Sequence, residues 1–224
     1  MHLSSTEENY LKAIFKLSGT AEESVSTNAI ALHLNTAPAS VTDMLKRLTE
    51  KGYILYEKYK GAKLSDNGRV CAVLIVRKHR LWETFMVEKL NFSWDEVHVV
   101  AEQLEHIQSE KLINCLDELL DFPKYDPHGD PIPDKFGNIE LHSQLFLSEL
   151  QVGQKAVIVG VKEHSSSFLQ YLEKLGLVLG APVEVLSVFE YDQSLLIKIN
   201  EKVDSTITHK VAKNLYIKSI DNDG

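Results

Sequence analysis

The stretch from His79 to His106 constrains this chain most. Histidine and glutamate recur there at helical intervals: His79 with Glu83, His98 with Glu102, then Glu105 and His106 three and four places beyond Glu102. Residues at i, i+3 and i+4 share one face of an α-helix. Two helices are therefore expected, each presenting a row of imidazoles and carboxylates. Such a row, without a thiolate, suits a borderline-to-hard divalent cation. His98 and His106 are separated by roughly 12 Å along a helix axis, at ~1.5 Å per residue. One ion can hardly hold both ends, so the spacing predicts two metal positions. Charge points the same way. The chain carries a formal net charge of −8, divided as +1 over 1–64, −6 over 65–130 and −3 over 131–224. Carboxylates crowded among candidate ligands oppose one another's ionisation unless solvent or a cation relieves them.

The 224 residues are 44% hydrophobic, enough for one or two ordinary globular domains. No apolar run approaches ~18 residues, so no membrane span is expected. The first residues lack the basic and apolar regions of a secretory leader. Cys71 and Cys115 stand alone in apolar helical patterns and read as reduced thiols of a cytoplasmic protein.

The first 64 residues read as helix, helix, turn, helix and basic hairpin. Ser4 or Ser5 can cap a helix to residue 18, with Glu7 and Glu8 in its first turn and Tyr10, Ile14 and Leu17 on its apolar face. A short helix follows over Thr27–Leu34. After the Asn35–Pro38 turn, Pro38 opens a third helix that ends before Gly52. Residues 53–64 form a hairpin turning near Lys60-Gly61. This is the pattern of a winged helix-turn-helix that binds double-stranded DNA. The third helix would enter the major groove by its N-terminal end. Ala39, Ser40, Thr42 and Asp43 lie there, and Thr27, Thr36 and Pro38 belong to the same surface. Small side chains allow close approach to base edges. Lys46 and Arg47 could reach phosphates, as could Lys58, Lys60 and Lys63 of the wing. Asp43 either accepts from a cytosine amine or pairs with a neighbouring lysine.

Residues 66–90 read as one long helix, about 93–109 as another opened by a Ser93/Glu96 capping box, and 110–120 as a third. They are too apolar for an outer layer, so a symmetric homodimer interface is expected. Prolines concentrate in 121–148, which reads as a linker. Beyond it, strands over 155–161, 182–189, 194–200 and 215–220, with one helix over 166–175, predict a small SH3-like barrel. The expected fold is mainly α with a C-terminal β domain. Its parts are a winged helix-turn-helix (1–64), a helical metal-binding and dimerisation domain (65–130), a proline-rich linker (131–148) and the barrel (149–224). His33, His128, His142 and His209 have no ligand-like partners in register; His33 reads as surface and His128 as a linker residue.

In this order the parts resemble the DtxR/MntR family of metal-dependent transcriptional repressors. The resemblance covers essentially the whole chain. It is carried by Arg77-Lys78-His79-Arg80-Leu81, by His98 with Glu102-x-x-Glu105-His106, and by His128-Gly129-Asp130-Pro131-Ile132-Pro133. The run Leu172 to Gly180 resembles FeoA-type SH3-like domains. The resemblance implies a primary activating site of Glu102, Glu105, His106 and Asn9. It implies an ancillary site of His79, Glu83 and His98, completed from the barrel by His164, with Glu163 and Ser167 beside it. Iron-type members carry methionine and cysteine where Asn9 and Glu102 stand. Manganese-type members carry aspartate at Asn9 and often glutamate at Lys12. Glu102 therefore favours Mn²⁺, with Fe²⁺ as the second candidate and two ions expected per subunit.

The expected function is repression. Metal acts as corepressor, enabling a homodimer to bind a palindromic operator and control metal-uptake genes. Without metal, repulsion among Glu102, Glu105 and their neighbours opposes closing the site; with it, Asn9 draws the first helix in. The alternative is a metal-independent winged-helix regulator with an organic ligand. An enzyme is not expected: Glu-x-x-Glu-His is not the zincin order, and no nucleophile or phosphate-cradling loop accompanies it.

Overall fold

The computed structural model describes residues 3–19, 23–139 and 145–220. They form two compact units. One comprises the described residues among 3–79, with 102–114 and 133–139; the other comprises 80–101, 115–132 and 145–220.

In the first unit, α1 (Ser5–Ser18) begins with a complete capping box. The Ser4 hydroxyl accepts from the Glu7 amide and the Glu7 carboxylate accepts from the Ser4 amide. α2 (Thr27–His33) is capped by Ser26, and α3 (Pro38–Glu50) starts with proline at its first turn. Leu11, Ile14, Ile30, Val41, Leu45, Leu48 and Ile54 meet in one core. The hairpin β1 (Ile54–Glu57) and β2 (Gly61–Leu64) pairs antiparallel. Gly61 fixes its position: at φ +95°, an added Cβ would come within 2.5 Å of the Val25 carbonyl oxygen. Val25 and Ala62 exchange two backbone hydrogen bonds of 2.8 Å there, which anchor the wing to the segment before α2.

The helix α4 (Asp66–Leu90) is continuous over 25 residues. It is followed by α5 (Val97–Leu104) and α6 (Glu110–Leu119). α5 is shorter at both ends than its apolar pattern predicts. At its start the Ser93 amide and hydroxyl both bond the Glu96 carboxylate, at 3.2 and 2.6 Å. The expected box is only half formed, since the Glu96 amide bonds the Ser93 carbonyl and not its hydroxyl; residues 94–96 form a turn, and Trp94 is buried in the core of the β domain. At its end Glu105 and His106 lie in the closing turn, where the Ile107 amide bonds the Leu104 carbonyl.

The second unit contains a six-stranded antiparallel sheet ordered β3-β8-β4-β5-β6-β7. Its strands are β3 (Leu145–Phe146), β4 (Lys155–Val161), β5 (Pro182–Val188), β6 (Leu195–Ile199), β7 (Val203–Ile207) and β8 (Leu215–Ser219). The helices α7 (Ser166–Leu175) and α8 (His209–Ala212) complete it. Ile158, Val161, Leu169, Leu172, Val185, Ile197 and Leu215 pack in its core. β3, β7 and α8 are absent from the sequence reading. β7 is Val-Asp-Ser-Thr-Ile, with apolar residues only at its ends, so no alternation marks it.

β3 belongs to the stretch read as linker, yet it pairs with β8, and Phe146 lies on Tyr216 with ring centroids 4.9 Å apart. The proline-rich turn is no free linker either. The Asp126 carboxylate accepts from the amides of His128 (2.8 Å) and Asp130 (2.9 Å), and Ile132 is buried. Gly129, at φ +84°, lies so close to β4 that a Cβ would come within 2.1 Å of the Val159 carbonyl oxygen. The Val161 amide bonds the His128 carbonyl at 2.9 Å. Backbone contacts thus seat the turn on β4, while Arg80 holds the Pro131 carbonyl and the Asp126 and Asp130 carboxylates. His142 lies outside the described residues.

Candidate metal centre

In the first unit, α1, α4 and the end of α5 bring charged side chains together. His79 is buried on α4, and its Nδ1 lies 2.6 Å from Glu105 Oε2. Glu105 is fully buried. One ligand atom from each of His79, Glu102 and Glu105 lies within 4.8 Å of the others. His106 Nε2 is 3.8 Å from Glu105 Oε1. The Asn9 side-chain oxygen is buried and has no hydrogen-bond partner. A buried oxygen left so is uncommon unless an ion or water satisfies it. Carboxylate, imidazole and neutral carbonyl form a hard donor set, so these residues fit a divalent ion of the Mn²⁺ or Fe²⁺ kind.

The ionic arrangement departs from the expectation in one respect. The Glu102 and Glu105 carboxylates share a cationic side chain that the sequence reading did not assign to the site. Lys12 Nζ donates to Glu102 Oε1 at 2.7 Å and to Glu105 Oε1 at 2.6 Å, with the lysine only 4% exposed. The ammonium balances both carboxylates and ties α1 to the end of α5. Glu8, one turn before Lys12, makes a second tie: it lies 2.5 Å from His106 Nδ1 and accepts from Gln108 at 2.6 Å. Sequence reading treated Glu8 as a first-turn acid only. Its i, i+4 spacing from Lys12 was the available signal that both face one way.

The second unit also holds a buried group. Glu83 is buried, with His98 Nδ1 3.2 Å from its Oε1 and His128 Nδ1 3.7 Å from its Oε2. Glu83, Asp126 and His128 converge, each offering a ligand atom within 4.8 Å of the others. His128, read as a linker residue, is 2% exposed and donates from Nε2 to the Trp94 carbonyl at 2.7 Å. Backbone anchoring at Gly129 is what turns it inward. Burial alone would lower its pKa, but the hydrogen bond and charge of Glu83 outweigh this and raise it to about 9. Burial and the charges of Asp130 and Glu83 push Asp126 up to about 7. His164 stacks on His128 at 4.9 Å, and desolvation together with the His128 charge lowers its pKa. Glu163 accepts instead from the Ser165 hydroxyl at 2.7 Å and joins neither group.

On the winged-helix surface, Thr27, Pro38, Thr42, Lys46 and Lys58 line one groove between α2, α3 and the hairpin. Ala39, Ser40, Asp43, Arg47, Lys60 and Lys63 are exposed, and Thr36 is half-buried. Asp43 pairs with Lys46 at 3.4 Å and Lys60 with Glu57 at 2.6 Å. Arg47 lies 3.8 Å from the buried Glu7 carboxylate.

Comparison with known proteins agrees in both halves. Residues 2–62 match the iron dependent repressor N-terminal DNA binding domain, and 65–134 the iron dependent repressor metal binding and dimerisation domain. Residues 146–219 match the FeoA domain. The iron-dependent repressor IdeR of Mycobacterium tuberculosis is 28% identical over 97% of this chain and 99% of its own. A manganese-dependent transcriptional repressor solved in complex with manganese superposes with a TM-score of 0.84 at 29% identity, covering 96% of this chain and 100% of that one. The manganese regulator SloR, 30% identical, does so with a TM-score of 0.71 over 96% of this chain and 98% of its own. These relatives are DNA-binding regulators and not enzymes, and no described helix is long and apolar enough to cross a membrane.

Proposed function

The chain belongs to the DtxR family of iron- and manganese-dependent transcriptional repressors, and from that premise we propose that its activating ion is held by Glu102, Glu105 and His106 with Asn9 as a further donor, and that His79, which the sequence placed in the ancillary site, joins them through its contact with Glu105. The observation that carries the reading is the convergence of His79, Glu102 and Glu105 beside the orphaned Asn9 oxygen. When bound, the ion would supply positive charge and directional bonds to the Glu102 and Glu105 carboxylates. Asn9 sits on α1, the first helix of the DNA-binding domain, so its coordination joins that domain to the metal-binding helices. A homodimer needs its two recognition helices about one DNA turn apart, or a multiple of that, to read a palindromic operator. Restricting α1 biases the ensemble toward that spacing. Exposed Val70 and Leu112 offer apolar surface for the dimer. Mn²⁺ is the favoured ion and Fe²⁺ the second, because the donor set is oxygen and imidazole without thiolate. A second ion per subunit is proposed at Glu83 and His98, with His164 as the donor from the β domain.

Fluorescence anisotropy on a duplex selected from a randomised pool tests the reading. Chelation is expected to weaken binding about 5–150-fold, the range of ordinary allosteric coupling, with Mn²⁺ or Fe²⁺ restoring it. Affinity unchanged by chelation and by added metal would refute the metal switch and favour an organic effector.

The wing gives a second expectation. Lys58 lines the groove with α3 and has its ammonium 5.0 Å from the Tyr59 ring. Lys58→Ala should weaken binding to all duplexes alike and flatten the salt dependence by about one unit of slope. An unchanged slope removes Lys58 from the phosphate contacts.

A further inference from the structure

A metal site that already contains a cation cannot simply fill. Lys12 places its ammonium on one oxygen of the half-buried Glu102 and one of the fully buried Glu105, and its own side chain is only 6% exposed. Those two oxygens belong to the carboxylates that a divalent ion would use. Two cations at contact distance from the same oxygens repel strongly in a buried site. We infer that Lys12 is a resident counter-ion which a divalent metal must displace, so that this repressor senses metal by exchanging one cation for another. The inference rests on the metal reading above and adds what the ion must expel.

Three features of the site follow from it. Exchange removes one tie and keeps another, because Lys12 joins α1 to Glu102 and Glu105 while Glu8 joins it to His106. The metal concentration needed is raised by the two charge-assisted hydrogen bonds that have to break. On exchange, the ammonium has to leave both carboxylates, while Asn9, one turn earlier on the same helix, offers an uncharged oxygen that does not compete. Lys12 thus sets the threshold of the sensor without being a ligand.

Isothermal titration of Mn²⁺ into the full chain, as wild type and as Lys12→Gln and Lys12→Met, reads this directly. Charge-assisted bonds of this kind lead to an expected tightening of about 10-fold or more when the ammonium is removed. The variants should also lose more thermal stability in chelator than in saturating Mn²⁺, since only metal then neutralises the carboxylates. In case neither variant folds, lysine acylation read by mass spectrometry uses the wild type alone: Lys12 should be protected in chelator and become reactive in Mn²⁺. Equal affinities in all three proteins, or Lys12 equally protected with and without bound Mn²⁺, would overturn the exchange while leaving the metal switch standing. Failure of wild type and variants alike to take up Mn²⁺ or Fe²⁺ would refute the functional reading itself, and the exchange with it.

Discussion

Glu105→Gln should abolish metal-stimulated DNA binding. Glu105 is fully buried, and its two oxygens serve different partners, Lys12 on one and His79 on the other. Glutamine keeps the shape and one carbonyl but removes the charge on which a divalent ion depends. Metal would then gain little from the site, and the coupling of about 1–3 kcal/mol expected between metal and DNA would vanish. Operator affinity should become indifferent to Mn²⁺ and remain near that of the chelated wild type. Anisotropy titrations with and without metal measure this, and circular dichroism checks that the helices persist. Stimulation retained at more than half the wild-type factor would place the activating ion elsewhere.

Glu83→Gln should produce the largest loss of stability. The Glu83 carboxylate is what keeps His128 charged in a buried position. A histidine whose folded pKa is raised, here to about 9 from an ordinary value near 6.5, favours the fold most below its unfolded pKa. That contribution declines as pH rises through about 9. Asp126, raised to about 7, has the same sign: its protonated form is favoured in the fold, and its penalty grows as pH rises toward 7. Stability should therefore fall with rising pH in the wild type between about pH 6.5 and 9. With Glu83→Gln, about 3 kcal/mol should be lost at pH 7 and this pH dependence should flatten. Urea unfolding across that pH range, in chelator so that no ion occupies Glu83, provides the measurement. A variant that unfolds with the wild-type pH profile would show that Glu83 does not hold the imidazole charged.

The elements of the winged helix were legible because their signals are local. Ser4 with Glu7, Pro38 at the start of α3 and the glycine in the hairpin each act within a few residues. Helical spacing drew attention to Glu102, Glu105 and His106 together, but it set His79 with Glu83; the approach of His79 to Glu105 joins two helices, and no periodicity reports it. Lys12 and Glu8 were not read as parts of the site. Their partners lie 90 to 100 residues away in sequence, and no periodicity reports a contact of that range. Lys12 was noticed only as the absence of a carboxylate, whereas its physical effect is to supply the opposite charge. His128 was misread for a similar reason. Proline and glycine around it suggest an exposed turn, but Gly129 permits the turn to press on β4 and drive the imidazole inward. The length of α5 was overestimated because apolar spacing continues past Leu104, where Glu105 and His106 are already held to α1.

Anomalous diffraction from crystals grown with Mn²⁺ tests the central claim most directly. The account predicts a manganese peak bonded to Glu102 and Glu105, with the Asn9 side-chain oxygen turned to it and the Lys12 ammonium withdrawn from both carboxylates. A fully loaded crystal with no peak there, and with Lys12 still bridging Glu102 and Glu105, would contradict it.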